Sequence, residues 1–584
     1  MMRVVLHQTH HNVADFEGVL KTLKELDLSA KSPELHIFPE MFTTGYPLQD
    51  IVLQKSFIDR HQFLMKEIED WASGLSNENI CLLMGGLKYS FQKEQDAIPS
   101  RIENVVYQVL PGRKPQPVYT KMLLPNYDIF DEKKYYAEGK ESKTIEWMGK
   151  NIGLLICEDM WYSTLHDINP VQSLKELNTE LDLVVNLSAS PYNLYKTEKR
   201  KTRAKEISKL LQSPFFYVNR VGAEDEIIFD GNSFAVNGSN SLNQAKAFEE
   251  DKLSIDLPQY CGEIFDREDS VENTWESLFS AGIIVPPNGS MPHLKELDHD
   301  HCQEIIQALT FGVQEYLKKS YFKKFVVALS GGLDSALVLA LLKISLKPGQ
   351  SLEAIYMPSE FSREISYKAS LEMCEKAGIP FHVLPIKGTH EYCRDLFDKE
   401  LGSPLEDLAD ENIQSRIRGL FLLARSNQTD ALVINTSNKS ELSVGYSTIY
   451  GDSVGAISLL GDLYKSEAYQ VARYINLKYN KLIPEDIIER APSAELREEQ
   501  VDTDSLPPYE IMDTILEGIL SYRLSGKDLV ELGLPQEDVK KVIDLYRKTE
   551  FKRSQFCPIL KIKSKSFGFG YRVPISKNSL YLSL

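Results

Sequence analysis

The sequence predicts an α/β chain of two domains. Three observations carry that expectation. A length of 584 residues is more than one ordinary core serves. Apolar strand-like runs alternate with amphipathic helical stretches in the first half, and the alternation restarts after an acidic interval containing VPPNGSMP. In the first half the strand-like runs are VVLHQ, LHIFPE, ICLLMGG, NVVYQVL, IGLLICED, LDLVVNLSAS, FFYVNRVG and FAVN. Their nearly continuous apolar character is that of strands covered on both faces. Between them ADFEGVLKTLKEL and EKRKTRAKEISKLL read as helices. The pattern fades between about Glu249 and His301. Residues 1–248 are therefore expected to form one domain, 249–300 a linker and 301–584 a second domain. CQEIIQALTFGVQEYL opens the second, and FVVALS, LEAIYMPS, PFHVLPI and ALVINTS are its expected strands.

Composition narrows the function classes. With 42% hydrophobic and 26% charged residues the chain reads as a globular protein, and no apolar run approaches the ~20 residues of a membrane span. The first residues, MMRVVLHQTHHN, lack the apolar core of a signal peptide. A net charge of −18 argues against a nucleic-acid binder, so a polyphosphate ligand needs a local site. Seven cysteines without CxxC spacing imply a reducing cytoplasm, with most of them simply buried thiols. HLKELDHDHC brings His293, His299, His301 and Cys302 together, but no second ligand pair follows at finger spacing, and a solvated lead into a helix is the expectation.

FVVALSGGLDSALVLALL is the most informative stretch: a buried strand, a glycine turn and a helix, without the Gly-Lys-Ser/Thr of a Walker motif. Gly331 and Gly332 allow close backbone approach to a ligand, and the helix that begins near Asp334 offers free N–H groups and a positive dipole end. Ser330 and Ser335 add hydroxyls. A carboxylate beside phosphate, Asp334, makes sense if it holds Mg2+.

This Ser-Gly-Gly-x-Asp-Ser motif is similar to the pyrophosphate loop of the ATP pyrophosphatase family. Downstream, ENIQSRIRGLFLLARSN, NTSNKSELSVGYSTIYGD, DLYKSEAY and APSAELREEQVDTDSLPPYE resemble blocks of NAD synthetases, in the same order, over about Cys302 to Ile575. The resemblance implies a Rossmann-like parallel sheet whose loop Ser330, Gly331, Gly332, Leu333, Asp334, Ser335, Ala336 and Leu337 binds ATP together with Thr436. It implies Mg2+ on Asp334 and Glu441, and Asn412, Glu441 and Lys552 on the substrate deamido-NAD. Lys465 then supplies the cation that the loop itself lacks. Ser437 stands where the family usually has glycine.

In the first half, GLLICEDMW sets Cys157 at a strand end, HIFPEMFTTGYP does the same for Glu40, and VYTKMLLPNYDIFDE presents Lys121. Glu, Lys and Cys in that order resemble the triad of the nitrilase, or carbon–nitrogen hydrolase, family over about Met1 to Gln244. The likeness implies an α-β-β-α sandwich acting as a glutaminase. Glu40 would be the general base, Cys157 the nucleophile and Lys121 the oxyanion's cation. Tyr127, Ser190 and Lys196 would bind glutamine, with Tyr46 and Glu132 lining the same pocket. Arg220 and Glu224 stand where the family often has glutamines.

Together the two resemblances imply a ligase that amidates deamido-NAD with ammonia from L-glutamine or supplied free, at the final step of NAD biosynthesis. They imply ATP as substrate, Mg2+, and a cytoplasmic homo-oligomer that binds neither nucleic acid nor membrane. A water-poor route between the two sites is expected, because protonated ammonia is not a nucleophile. The rival readings are an amidotransferase ligase acting on another carboxylate or purine, and a catalytically dead nucleotide sensor. NKSELSVGYSTIYGD and SLPPYE weigh against the first. The presence of Glu40, Lys121, Cys157, Asp334 and Glu441 weighs against the second.

Overall fold

The computed structural model describes residues 2–93, 98–162, 166–262, 294 and 296–577. The chain divides into two compact units, Met1–Gly282 and Ile283–Leu584.

The first unit is built on two six-stranded sheets. One contains β1 (Arg3–Gln8), β2 (Glu34–Ile37), β3 (Ile80–Ser90), β4 (Arg101–Val109), β5 (Gln116–Thr120) and β14 (Asp251–Asp256), in the order β14-β1-β2-β3-β4-β5. The other contains β6 (Thr144–Trp147), β7 (Lys150–Ile156), β8 (Leu183–Ser188), β9 (Phe215–Asn219), β12 (Phe234–Asn237) and β13 (Asn240–Gln244), in the order β13-β12-β9-β8-β7-β6. A hairpin of β10 (Val221–Glu224) and β11 (Ile227–Asp230) stands apart.

Val4, Leu6, Leu35, Ile37 and Leu83 pack against Leu154, Ile156, Val185, Leu187 and Val218, which closes the two inner faces on each other. On the outer face of the first sheet, Leu82 and Met84 meet Phe16 and Val19 of the helix Phe16–Lys24, and Leu64 and Ile68 of the helix Lys55–Ser73. On the other side Val184 and Phe215 meet Ala204 and Ile207 of the helix Lys196–Leu210. Successive residues of β3 from Ile80 to Met84 thus serve opposite cores, which is why all five are apolar. The result is the expected α-β-β-α sandwich.

One boundary differs from expectation. Residues 251–256, read as the start of a linker, form β14 and pair antiparallel with β1 along its whole length, from Arg3 opposite Asp256 to Gln8 opposite Asp251. Only Leu253 of this edge strand is buried, so it carries almost no apolar signal.

The second unit holds an all-parallel sheet of β15 (Lys324–Ala328), β16 (Ser351–Tyr356), β17 (Phe381–Val383), β18 (Leu432–Asn435) and β19 (Ile457–Ser458), ordered β17-β16-β15-β18-β19. The four strands expected from the sequence are all present. The order reverses between β15 and β18, and that switch point is where such sheets open a crevice at their carboxyl ends. The loops leaving these two strands begin at Leu329 and Thr436, which brings the glycine turn beside the Asn435–Asn438 segment. The helices Tyr509–Leu520 and Gln536–Lys548 build a further core around Met512, Leu516, Val539 and Val542.

Among the described residues no helix is long and apolar enough to cross a membrane. His299, His301 and Cys302 occupy the first turn of the helix His299–Lys319, where Asp298 caps the N–H of His301, and His293 lies outside the described residues.

Candidate active sites

In the first unit the ends of β2, β5 and β7 converge, and each carries one of the expected residues. Gly85 lets β3 approach the Glu40 turn, since a Cβ there would lie 2.6 Å from the Glu40 Cα. Lys121 Nζ donates to Glu40 Oε1 at 2.7 Å and to Glu132 Oε1 and Oε2 at 2.9 and 2.8 Å. Tyr46 OH donates to Glu132 Oε1 at 2.8 Å. Glu40 also accepts from Asn104 Nδ2 and from the Ala189 N–H, both at 2.8 Å. All of these side chains are buried.

Cys157 begins a single 3-10 turn, Cys157–Met160, directly after β7, with φ at +42°. A non-glycine residue held in the left-handed region is strained, and strain of this kind clusters at functional positions. The Cys157 N–H donates to Asn186 Oδ1 at 2.7 Å, which fixes the turn against β8. Burial, followed by the Glu40 charge, pushes the Cys157 thiol well above its ordinary value, while the Lys121 ammonium pulls the other way. At rest Cys157 is therefore a thiol, and a role as nucleophile would require a base. Burial also raises Glu132 to about 7, against the opposing pull of Lys121.

The residues expected to bind glutamine lie around the same turn. Tyr127 OH donates to Glu158 at 2.9 Å, and burial raises Glu158 to about 8. Burial and then Arg200 lower Lys196 to about 8, and the charges of Cys157 and Glu158 oppose that shift. The Ser190 N–H donates to Asn219 Oδ1 at 2.8 Å, and the Ser190 carbonyl and hydroxyl accept from the Arg200 guanidinium. Arg200 is itself buried against Asp230 at 2.8 Å. Arg220 pairs with Glu224 at 2.9 Å, so the two departures from the family pattern satisfy each other. Sequence reasoning gave no role to Asn104, Asn186, Asn219, Arg200 or Asp159. Each acts through a bond to a distant segment, and no local signal marks such a bond.

In the second unit a cavity of about 260 Å3 is lined by Ser330, Asp334, Thr436, Glu441, Lys465 and Arg490, among others. Gly331 has φ +81°, and a Cβ there would meet the Ser366 carbonyl oxygen at 2.6 Å, so glycine is required. Ser335 Oγ accepts from the Ser330 N–H at 3.2 Å and donates to the Gly332 carbonyl at 3.1 Å, which sets the loop's curvature. The helix Leu333–Ser345 starts at Gly332 with no side-chain cap, leaving its N-terminus directed at the loop.

Lys465 opens the helix Lys465–Lys478 and reaches Asp334 Oδ2 at 2.5 Å and Glu441 Oε1 at 3.3 Å. Asn438 joins the two sides by donating to Asp334 Oδ1 at 3.2 Å and accepting from the Glu441 N–H at 2.9 Å. Burial raises Glu441 to about 8, against the pull of Lys465 and with the like charges of Asp334 and Asp502 adding to the rise.

Not every expected residue faces this cavity. Ala336 and Leu337 are fully buried in the helix and do not line the cavity, and the Ala336 N–H donates to the Gly332 carbonyl at 3.2 Å. Asn412 and Lys552 are not among the lining residues. Asn412 Oδ1 accepts from Thr448 Oγ1 at 2.7 Å, and Lys552 Nζ donates to the Gly445 and Ser447 carbonyls at 2.7 and 2.6 Å. Both shape the Gly445–Thr448 loop. Ser437, at the family's glycine position, is buried and also lines the cavity.

The fold and the two sites define a carbon–nitrogen hydrolase joined to an adenylating synthetase. The carbon-nitrogen hydrolase family model matches residues 3–255, and the NAD synthase model matches residues 305–556. The chain is 35% identical to the glutamine-dependent NAD(+) synthetase of Aquifex aeolicus and 33% identical to that of Synechocystis, covering 99% of both chains in the first case and 94% in the second. A solved glutamine-dependent NAD+ synthetase from Acinetobacter baumannii, in complex with adenosine diphosphate, is similar over 98% of each chain at 30% identity and a TM-score of 0.69. The chain belongs to the family of glutamine-dependent NAD(+) synthetases.

Proposed function

We propose that this chain hydrolyses glutamine at Cys157 and uses the ammonia to convert deamido-NAD to NAD, consuming ATP and yielding glutamate, AMP and pyrophosphate. The observation that carries the reading is the convergence of Lys465, Asp334 and Glu441 on the cavity beside the Ser330–Ser335 loop, in a chain that also holds the Glu40–Lys121–Cys157 group.

At the first site Glu40 takes the Cys157 proton as Sγ attacks the amide carbon of glutamine. Lys121 stays protonated between two carboxylates and supplies a fixed cation for the tetrahedral oxyanion, together with the N–H after Cys157. Collapse expels ammonia and leaves a thioester, and Glu40 then activates the water that releases glutamate. At the second site the carboxylate of deamido-NAD attacks the α-phosphorus of ATP and pyrophosphate leaves. Ammonia attacks the resulting acyl carbon and AMP departs. Lys465 and the uncapped helix Leu333–Ser345 offset the charge on the phosphates.

Among the described residues no group of three or more His, Cys, Asp or Glu is placed to hold a metal ion. Two carboxylates that share one ammonium, as Asp334 and Glu441 do, suit Mg2+, which is commonly held by one or two carboxylates completed by substrate phosphates. Bound there, Mg2+ would neutralise the departing pyrophosphate. The resemblance also supports a homo-oligomeric enzyme of the cytoplasm, with the glutaminase domain running through Asp256. Incubation of the protein with glutamine, ATP, Mg2+ and deamido-NAD should yield NAD and AMP in equal amounts. Absence of both products would reject the reading.

A further inference from the structure

Asp159 lies two residues beyond Cys157, fully buried, and carries no assigned role in the chemistry above. Its Oδ2 accepts from Tyr119 OH at 2.8 Å and from the Ile156 N–H at 2.9 Å. Its Oδ1 accepts from the Met122 N–H at 3.1 Å and the Leu123 N–H at 2.8 Å. The donors fall into two groups. Tyr119, Met122 and Leu123 flank Lys121 on either side in sequence, and Ile156 immediately precedes Cys157.

We infer that Asp159 is a positioning residue of the glutaminase, which fixes Lys121 relative to Cys157 by bonding the backbone beside each of them. The two groups of donors lie on different elements, and the register between the Lys121 loop and the nucleophile turn is what an oxyanion stabiliser must have right. A carboxylate buried without a cation in contact is costly, and an apolar side chain would fill the same space more cheaply. Four donors match the lone pairs of an ionised carboxylate. Burial nevertheless raises Asp159 to about 6; the titratable groups that face it are Tyr119, which donates to it, and Lys121, whose charge favours the ionised form. Tyr119 is held well above its ordinary value by burial and by Asp159, so it remains a donor at all working pH values.

This inference rests on the glutaminase reading of Cys157, and the test separates the two. In Asp159→Asn one oxygen becomes an NH2 group, so whichever way the amide turns at least one backbone N–H loses its acceptor: Met122 and Leu123 in one orientation, and Ile156 in the other, where the Tyr119 hydroxyl can turn to accept. With glutamine as nitrogen source, kcat should fall by about 100-fold, the size of a lost oxyanion contact, while KM for glutamine stays within about threefold because Tyr127, Ser190 and Lys196 are untouched. Loss of folding in the first unit would instead show as a lowered urea midpoint of that unit, since ammonium-dependent NAD formation reads the second unit. Tyr119→Phe removes one donor of the four and should lower the glutamine-dependent kcat by about 2- to 10-fold, again without a KM change.

An Asp159→Asn kcat within about twofold of the unaltered enzyme, or a loss lying wholly in KM, would overturn the inference. If Asp159→Asn fails to fold, Tyr119→Phe decides: a lower kcat at constant KM supports the role, and an unchanged kcat overturns it. Cys157→Ala is measured alongside. If that variant still uses glutamine, the glutaminase reading fails. If it does not while Asp159→Asn does, only the positioning role fails.

Discussion

Lys121 and Glu40 form an ion pair at 2.7 Å in which about 1% of either side chain is exposed, and the same ammonium holds Glu132 at 2.8 Å. One buried cation thus balances two buried carboxylates. Removing one partner of such a group leaves uncompensated charge and costs about 3 to 5 kcal/mol. Lys121→Met should therefore abolish glutamine-dependent NAD formation and also lower the urea midpoint of the first unit at pH 8. The destabilisation should shrink at pH 6, because Glu132, raised to about 7 in the unaltered protein, is then protonated there too and has already given up its ion pair with Lys121. A variant with unaltered stability at both pH values would show that the carboxylates do not depend on Lys121.

Glu158 gives a second test of burial around the nucleophile. Its carboxyl is raised to about 8 in the fold against an ordinary 4.5. Between those values the folded chain keeps a proton that the unfolded chain has lost. Stability from this group is therefore fully present below about 4.5 and declines as pH rises toward 8. Glu158→Gln removes the titration, and the fall in stability between pH 6 and 8 should become shallower by up to about 1.4 kcal/mol per pH unit. Glu132 acts in the same direction and persists in the variant. Lys196, lowered to about 8, adds stability with rising pH only above that value. Urea titrations at the two pH values measure the slope, and parallel slopes for variant and parent would count against a protonated Glu158.

Gly331→Ala addresses the second site. The φ of +81° and a Cβ contact of 2.6 Å with the Ser366 carbonyl leave no room for alanine without moving the loop that the nucleotide needs. The strain costs about 1 to 3 kcal/mol. NAD formation should be lost with either nitrogen source and ATP binding by calorimetry weakened, while glutamine hydrolysis continues. Normal ATP affinity in this variant would remove the loop from the nucleotide site.

Asp334→Asn separates charge from shape. The amide keeps the volume but loses the charge offered to Mg2+ and to Lys465, and NAD formation from both nitrogen sources should fall by about 100-fold or more. Raising Mg2+ should recover little of it. Normal synthesis by this variant would exclude Asp334 as a metal ligand.

How much of this could be read from the sequence depends on whether the information was local. Four of the five strands of the parallel sheet were legible because their apolar runs alternate with helices, and the Ser330–Ser335 loop because its glycines and serines fall within six residues; the two-residue β19 was not. Strand β14 was not, since an edge strand with only Leu253 buried resembles a solvated segment. Glu40, Lys121 and Cys157 stand out as a group only through resemblance: nothing near Glu40 in sequence indicates that Asn104 and the Ala189 N–H hold its carboxylate. Asn412 and Lys552 were expected on the substrate, and the structure uses both on the Gly445–Thr448 loop. A lysine's partner is set by which carbonyls the fold presents, and spacing does not encode that. Asp159 was in plain view in GLLICEDMW, yet three of its four donors belong to a strand and loop more than thirty residues away.

The division of labour between the two units is tested most directly by Cys157→Ala. The substitution removes the assigned nucleophile and leaves Ser330, Asp334, Glu441 and Lys465 intact, at a cavity cost of about one to a few kcal/mol. NAD formation is measured with glutamine and, separately, with high ammonium at mildly alkaline pH, where more of the nitrogen is neutral ammonia. The account predicts no NAD with glutamine and near-normal NAD with ammonium. NAD formation from glutamine by the folded variant would contradict it.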